Sequence, residues 1–549
     1  MAGASRIAVS AGIKAPDGLW HLRYPLGNPP SGGLSIRVFN GGFVDGNNNP
    51  INLRGVNVGG TGYVNGGTNF WSGEGWPSTI DMVTLATFRA NIVRLSLSQA
   101  CILGQTTLVM SSCLASGTVQ GTYAVPPTLP GTAVFCNCDA DGQFTAKLKA
   151  AVDMFTAAGY YVVLDLHFTA PDVVIGGTTY HVHNNGSSAQ QTMPDSVNAP
   201  LALAKLATQY ASYSNVMIEC YNEPGSIEDI NWHDWLNGKT NTQFNVQDFT
   251  GAINQGTYYQ FTYTWTSAGM QALVTAIRSG TGFAGPIIVG GIEYGAELGN
   301  DGFFDTSSTW VLSRPTDPLN NMVASLHCYS GFKFKNTGTI ASGNANIAVI
   351  NDGSTALSGG QPPSILGAGS VVTFETTRGN IIAGTSYYVV SSTSSSIQIS
   401  TTYGGSVLTP TGSGSSVIDS GYGGGNYNTY YASDNNPFGS NGSGGTNGFR
   451  QWIKWVQQIN AAGYACVMGE YGGVNTAGVT VEPFVTDVTQ QIDGINAAKT
   501  GGLASILWTY ATYGGTGPGN APISISGSGV ASISGPTGTV AFNWMSGHA

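Results

Sequence analysis

The chain has 549 residues, of which only 9% are charged and 79 are glycine, and its formal net charge is −10. At about 150 residues per domain this length admits two to four domains and a large buried core. An acidic balance without any Lys/Arg-rich run argues against nucleic acid or an anionic membrane as a partner, and no apolar run of about 18 residues is present to span a bilayer. Residues 1–30 also lack the continuous apolar stretch and cleavage site of a secretion signal.

In chain order, residues 1–34 are punctuated by Gly and Pro and read as irregular. Residues 35–43 and 51–56 read as strands of a hairpin around the turn at 45–50. Short apolar runs then recur at 51–56, 91–97, 160–166, 216–220, 287–291, 322–328, 465–468 and 503–508. Between them lie segments of helical period at 78–90, 145–158, 199–214, 267–279, 448–462 and 481–500. Runs that are apolar on both faces and alternate with helices predict a parallel sheet wound in one sense, and eight such units predict a closed (β/α)8 TIM barrel of α/β class. An open doubly wound sheet would need a Gly-rich phosphate turn after the first strand. Val58-Gly59-Gly60-Thr61-Gly62-Tyr63 is not one.

The connection at 331–449 is far too long to be a loop. Within it, 371–374, 386–390 and 396–400 alternate apolar with polar residues between Gly/Ser/Thr turns, which predicts an inserted small all-β module. The expected organisation is an irregular 1–34, barrel strands 1–6 over 35–335, the module and a Gly/Ser/Asn-rich linker over 336–447, barrel strands 7–8 over 448–515, and a short C-terminal β extension over 516–549. Of the seven cysteines, Cys101, Cys113, Cys136 and Cys138 share one loop-like stretch and predict one or two disulfides of open pairing, while Cys220, Cys328 and Cys466 sit in apolar runs as core thiols.

Active sites of such barrels form at the C-terminal ends of the strands. The fourth run ends in Asn222-Glu223-Pro224 and the seventh in Gly469-Glu470-Tyr471, so two glutamates face one cavity. Arg94 lies on the second run, His167 ends the third, His327 and Tyr329 end the sixth, and Trp508 ends the eighth. With 19 Lys and Arg in the whole chain, two such glutamates are poorly served as ion-pair partners, which favours catalysis. RGVN at 54–57, NIVRL at 91–95, DLH at 165–167, NEP at 222–224, HCY at 327–329, GEYG at 469–472 and Trp508 follow one another, one motif per strand. In order and placement they resemble glycoside hydrolase family 5.

That resemblance implies a retaining β-glycan hydrolase, with Glu223 as acid/base and Glu470 as nucleophile. Retaining hydrolysis uses two carboxyl groups about 5–5.5 Å apart. Arg94 is the expected cation that keeps Glu470 ionised, while the neighbouring negative charge holds the proton on Glu223. Asn222 is implied to bind the sugar 2-OH, Tyr329 to donate to Glu470, His167 and His327 to position sugar hydroxyls or support the carboxylates, and Trp508 to stack on a sugar ring. Trp71 and Trp76 after the first strand, and Trp232 and Trp235 after the fourth, are candidate subsite platforms. His181 and His183 point the same way on a strand, but no carboxylate or cysteine completes a metal set with His167, so no metal and no cofactor are expected.

The expected substrate is a polysaccharide of the β-glucan class, with endo-β-1,4-glucan cleavage first and β-mannan, β-1,3-glucan or xyloglucan as alternatives of the same mechanism. A non-catalytic glycan-binding surface protein is the rival class, since 371–412 resembles a short β-module that recurs in phage-tail and other surface proteins. Polymeric glycans lie outside cells, so the expected location is extracellular, secreted or particle-associated, although no signal peptide is visible in the chain.

Overall fold

The computed structural model describes residues 13–14, 20–21, 34–58, 85, 89–109, 134–137, 139, 142–175, 178–183, 193–225, 230–239, 242–247, 260–299, 308–350, 371–374, 376–383, 385, 387–393, 395–402, 405–424, 451–472, 482–511, 523–525, 531–533 and 544–545. Eight strands form the barrel: β1 (Arg54–Val58), β2 (Ile92–Ser98), β3 (Tyr161–Phe168), β4 (Val216–Glu219), β5 (Ile287–Gly290), β6 (Met322–Ile340), β7 (Ala465–Gly472) and β8 (Leu503–Ala511). Each pairs in parallel with the next, and β8 pairs in parallel with β1, so the sheet closes.

Alternation along the strands divides the core in two. Val93, Leu95 and Leu97 of β2 and Val162, Leu164 and Leu166 of β3 join one large cluster with the helices outside, while Ile92, Val163, Met217, Ile288 and Val323 form a separate cluster in the barrel interior. The helices supply matching stripes. In Phe144–Ala157 the buried residues are Phe144, Leu148, Ala151, Val152 and Phe155, and in Met270–Arg278 they are Met270, Leu273, Val274 and Ile277, both at helical spacing.

The barrel floor is closed by a hairpin, but a tighter one than the sequence predicts. Its strands are Arg37–Phe39 and Gly42–Val44, joined by Asn40 and Gly41 at φ of 50° and 76°. Positive φ at both turn residues fits the right-handed twist of a two-residue hairpin. Gly41 is also required by proximity, because a Cβ there would lie 2.1 Å from the Asn460 carbonyl oxygen. The segment expected to be the hairpin turn instead folds around Asp45, whose Oδ1 accepts from the backbone N–H of Asn47 and Asn49 at 2.8 Å each. That turn does bring the chain back, since the Ile51 N–H donates to the Phe43 carbonyl at 2.9 Å and Val44 bridges Pro50 antiparallel, but the pairing stops there and residues 54–58 enter the barrel wall as β1. Of the expected irregular segment 1–34, the pairing of Ile13–Lys14 with Trp20–His21 is described and the rest, apart from residue 34, lies outside the described residues.

Strand β6 does not end at the barrel rim. From Ser330 it pairs antiparallel with Gly414–Gly424, and Ile347–Ile350, Val371–Phe374, Tyr387–Ser392 and Ser396–Ser400 complete an antiparallel ring that returns to β6. This second, smaller barrel has its own core of Ile340, Val372, Phe374, Tyr387, Ile399 and Ile418, and it packs on the helix Glu482–Ala498 between β7 and β8. The loops after β2 and β3 form a further sheet of Asp172–Ile175, Thr178–His183, Thr106–Val109 and Val134–Asn137. Cys101 is disulfide-bonded, and Cys220, Cys328 and Cys466 are buried free thiols. At the C-terminus Ile523–Ile525 adds to the end of β8 and pairs with Ala531–Ile533, and Trp544 is anchored by its indole N–H to Asp493 Oδ2 at 2.8 Å. No helix among the described residues is long and apolar enough to cross a membrane.

Phe43 is 1% exposed in the floor cluster, whereas Leu312 is 76% exposed. Phe43→Ala is expected to lower stability by about 3–5 kcal/mol in urea denaturation, and Leu312→Ala by less than about 0.5 kcal/mol.

Candidate active site

Above the apolar floor the interior turns polar. Asn57 of β1, Arg94 of β2, Asp165 and His167 of β3, Glu219 of β4, His327 of β6 and Glu470 of β7 are all buried there, with Asn222 and Glu223 just beyond β4. Arg94 is fully buried and stands at the centre. Its Nε donates to Glu219 Oε2 at 2.6 Å, Nη1 to Asn57 Oδ1 and Glu470 Oε1 at 2.9 Å each, and Nη2 to Asn222 Oδ1 at 2.7 Å, with Asp165 Oδ2 3.0 Å from Nη2. Of the five N–H groups of a guanidinium, four make these hydrogen bonds, and Asp165 adds an ion pair. Burial alone would depress the Arg94 pKa, but the carboxylates of Asp165, Glu219 and Glu470 outweigh it and raise it, so the side chain is permanently charged.

The arginine also fixes its neighbours. Because Asn222 Oδ1 accepts from Arg94, its Nδ2 is the atom 3.3 Å from His167 Nε2, which must then accept. His167 Nδ1 lies 2.7 Å from Asp165 Oδ2 and carries the ring proton. His167 is thus the neutral tautomer with hydrogen on Nδ1, and burial pulls its pKa down to about 4 against the pull of Glu470. Burial likewise lowers His327 to about 4, so its Nδ1, 2.9 Å from Glu223 Oε1 and 3.7 Å from Glu470 Oε2, belongs to a neutral ring. Burial raises Asp165 to about 7 in spite of Arg94, and raises Glu219 as well.

A bulge aims Glu470 inward. Leu326 of β6 pairs with Met468, but His327 pairs with Glu470, so Gly469 is an extra residue in β7. Without it, alternation from the inward Val467 would turn residue 470 toward the helices. A larger residue would crowd the site, since a Cβ at Gly469 would lie 2.7 Å from Ser325 Oγ and 3.0 Å from His327 Nε2. The Gly469 carbonyl is held by Asn57 Nδ2 at 2.9 Å. Glu223, His327 and Glu470 bring one donor atom each within 4.8 Å of one another. This set brings two carboxyl groups and an imidazole together, and it is also the one group of Asp, Glu, His and Cys among the described residues close enough to hold a metal ion.

Arg94, His167, Asn222, Glu223, His327 and Glu470 therefore converge. The backbones of Tyr329 and Trp508 continue β6 and β8, with Tyr329 paired to Gly472, while their side chains and all of Trp71 and Trp76 lie outside the described residues. Trp232 and Trp235 are not subsite platforms. The helix Trp232–Asn237 turns both inward, where they pack edge to face with centroids 5.1 Å apart at 1% and 0% exposure, and Trp235 Nε1 donates to the Gly290 carbonyl at 3.0 Å. His181 pairs with Asp172 at 2.6 Å, and Asn198 Nδ2 donates to the same oxygen at 2.9 Å, which ties the rim sheet to the helix Asn198–Gln209. Sequence reading missed Asn57, Asp165 and Glu219 as site residues; the signal was available, because each shares the inward face with a residue two positions away on its strand or, for Asn57, with the gap above Gly55.

A model of the family Cellulase (glycosyl hydrolase family 5) matches residues 44–358, more than half of the chain. The chain belongs to glycosyl hydrolase family 5. It is a glycoside hydrolase, and its eight-stranded barrel carries the family's fold. No curated protein matches it. Similar solved structures include an endo-beta-1,4-glucanase from Xanthomonas axonopodis pv. citri, at 14% identity, 90% of this chain, 98% of that one and a TM-score of 0.41. The catalytic domain of Thermobifida fusca endoglucanase Cel5A gives 13%, 88%, 88% and 0.37. Cel5A (EG2) from Hypocrea jecorina gives 16%, 84%, 90% and 0.36.

The neutral histidines make a pH prediction. Unfolded, each titrates near 6.5, so between about pH 6.5 and 4 the unfolded chain takes up protons that the folded chain refuses, and stability falls with pH across that window. Asp165 works in the opposite sense, since the fold keeps a proton that the unfolded chain releases between about pH 4 and 7. In urea denaturation, His327→Asn is expected to lose less stability between pH 6.5 and 4.5 than the parent chain.

Proposed function

We propose that this glycoside hydrolase is a retaining endo-β-1,4-glucanase acting by double displacement, with Glu470 as nucleophile and Glu223 as acid, then base. The observation that carries the reading is the approach of the two carboxyl groups, whose nearest ligating oxygens are within 4.8 Å. Retaining enzymes hold their carboxyl groups about 5–5.5 Å apart, and inverting enzymes leave about 6.5–9.5 Å for a water. Arg94 Nη1 donates to Glu470 Oε1, which fixes the orientation of the nucleophile. Glu223, 8% exposed at the rim of the cluster, is placed to protonate a leaving oxygen.

In the first step Glu470 attacks the anomeric carbon while Glu223 gives its proton to the departing sugar oxygen. In the second, Glu223 takes a proton from water, which attacks the glycosyl-enzyme ester and releases Glu470. His327 Nδ1–H donates to Glu223 and steadies that carboxyl as it changes charge. Asn222, its amide oxygen taken by Arg94, turns its N–H toward the sugar 2-OH, a contact that strengthens as oxocarbenium character develops. Tyr329 and Trp508 complete the reading as donor to Glu470 and stacking surface. β-1,4-Glucan is the substrate that the family's description as cellulase favours, and a polymeric substrate implies an enzyme working outside the cell, secreted or particle-associated.

Reducing-end release from soluble β-1,4-glucan, with product sizing beside mannan, xyloglucan and β-1,3-glucan, tests this. Glu223→Ala and Glu470→Ala are each expected to lose about 10³-fold or more without loss of the folded state. The first-formed product is expected to keep the β configuration by NMR. Full turnover in Glu470→Ala, or an α product, would overturn the assignment.

A further inference from the structure

Arg94 faces more carboxylates than the reaction needs. Glu470 is the nucleophile of the reading above, on which this inference rests, but Asp165 and Glu219 hold the same guanidinium from the opposite side. Glu219 is the more telling of the two. Its Oε2 takes Arg94 Nε at 2.6 Å, shorter than any other contact of that side chain, and its Oε1 is buried without a hydrogen-bond partner. A fully buried carboxylate is expensive to retain unless paired, and the one hydrogen bond that Glu219 makes among the described residues is to Arg94. It is therefore not part of a wider structural network; it serves the arginine.

We propose that Glu219 is a positioning residue that aims the Arg94 fork and shares its charge, so that Glu470 receives only part of the guanidinium field. Two effects follow from the geometry. With Nε anchored on β4, the planar fork can present Nη1 only toward β1 and β7, where Asn57 and Glu470 accept it, and Nη2 only toward Asp165 and Asn222. The competing carboxylate also draws positive potential away from Glu470. An arginine spent entirely on Glu470 would hold it as a stable, weakly nucleophilic carboxylate and slow its attack in the first step; an arginine shared with Glu219 leaves it more reactive there.

The ionisable groups that face this centre are Asp165 and His167 from β3, Glu219 and Glu223 from β4, His327 from β6 and Glu470 from β7. Asn57 from β1 is neutral, and the described side chains of β5 and β8 include no ionisable group. Both histidines are neutral above about pH 4, so the balance at working pH is among one arginine and the carboxyl groups.

The test is the pH profile of kcat/KM on an aryl β-cellobioside for the parent chain, Glu219→Gln and Glu219→Asp. Withdrawing the negative charge leaves more of Arg94 to Glu470, which favours its ionised form, so the acid limb moves to lower pH. In Glu219→Gln that limb is expected to fall by about one pH unit, the basic limb to move the same way, and the optimum rate to drop by about tenfold. Glu219→Asp keeps the charge and is expected to lower the rate with both limbs in place. Glu219→Ser withdraws the same charge with a smaller neutral side chain and moves the acid limb in the same direction, which keeps the test open if Glu219→Gln does not fold. A rate loss with unmoved limbs in Glu219→Gln, or in Glu219→Ser where Glu219→Gln does not fold, would overturn the inference, because a merely structural role moves rates and not limbs. A parent chain that hydrolyses no β-glycan would overturn the underlying reading as well, whereas hydrolysis abolished in Glu470→Ala with unmoved limbs in the other variants would overturn the inference alone.

Discussion

One buried guanidinium organises this molecule. Removing Arg94 from water carries a penalty of several kcal/mol, which the fold offsets with four hydrogen bonds and an ion pair to oxygens from β1, β3, β4, β7 and the turn after β4. Those oxygens come from strands far apart in sequence, so the arginine can be satisfied only inside a closed barrel. Its partners inherit fixed orientations: Asn222 is turned by it, His167 takes its tautomer from Asn222, and Glu470 is held by Nη1. The geometry of the candidate active site is thus a consequence of one ion's hydrogen-bonding requirement.

The rest of the fold buries that centre. The apolar cluster of Ile92, Met217, Ile288 and Val323, with Phe43 of the hairpin, forms the floor below it. Low polarizability there is what holds His167 and His327 neutral and raises Asp165 and Glu219. The bulge at Gly469 adds the one local irregularity the chemistry needs, placing Glu470 beside His327 instead of outside the barrel. The small barrel after β6 is entered on the strand that carries His327, which continues unbroken into it, and the ring rests on the helix Glu482–Ala498.

Much of this was legible in the residues. Eight apolar runs gave eight strands, because strands buried on both faces leave little room for other patterns, and residues ending those runs marked the face where Glu223, His327 and Glu470 meet. What escaped reading depends on contacts between distant segments. Glu219 and Asp165 lie inside runs that are otherwise apolar, and only the position of Arg94 on β2 shows why charge is tolerated there. Trp232 and Trp235 read as platforms because they follow a catalytic strand, yet a short helix capped by Asn231 turns both toward the barrel wall. The turn around Asp45 returns the chain to Phe43 as expected, but the tighter hairpin before it was missed, because Asn40-Gly41, which supplies the positive φ values of a two-residue turn, lies inside a run that reads as one strand.

The account stands most directly on Glu470 forming a covalent bond to the sugar. Incubation with an activated 2-deoxy-2-fluoro-β-cellobioside, whose fluorine slows breakdown of the glycosyl-enzyme ester, followed by intact-mass measurement and peptide mapping, examines that bond itself. The account predicts one added cellobiosyl unit per chain, located on Glu470 and absent from Glu470→Gln. Turnover of the unsubstituted substrate with no adduct, or an adduct on any other residue, would contradict it.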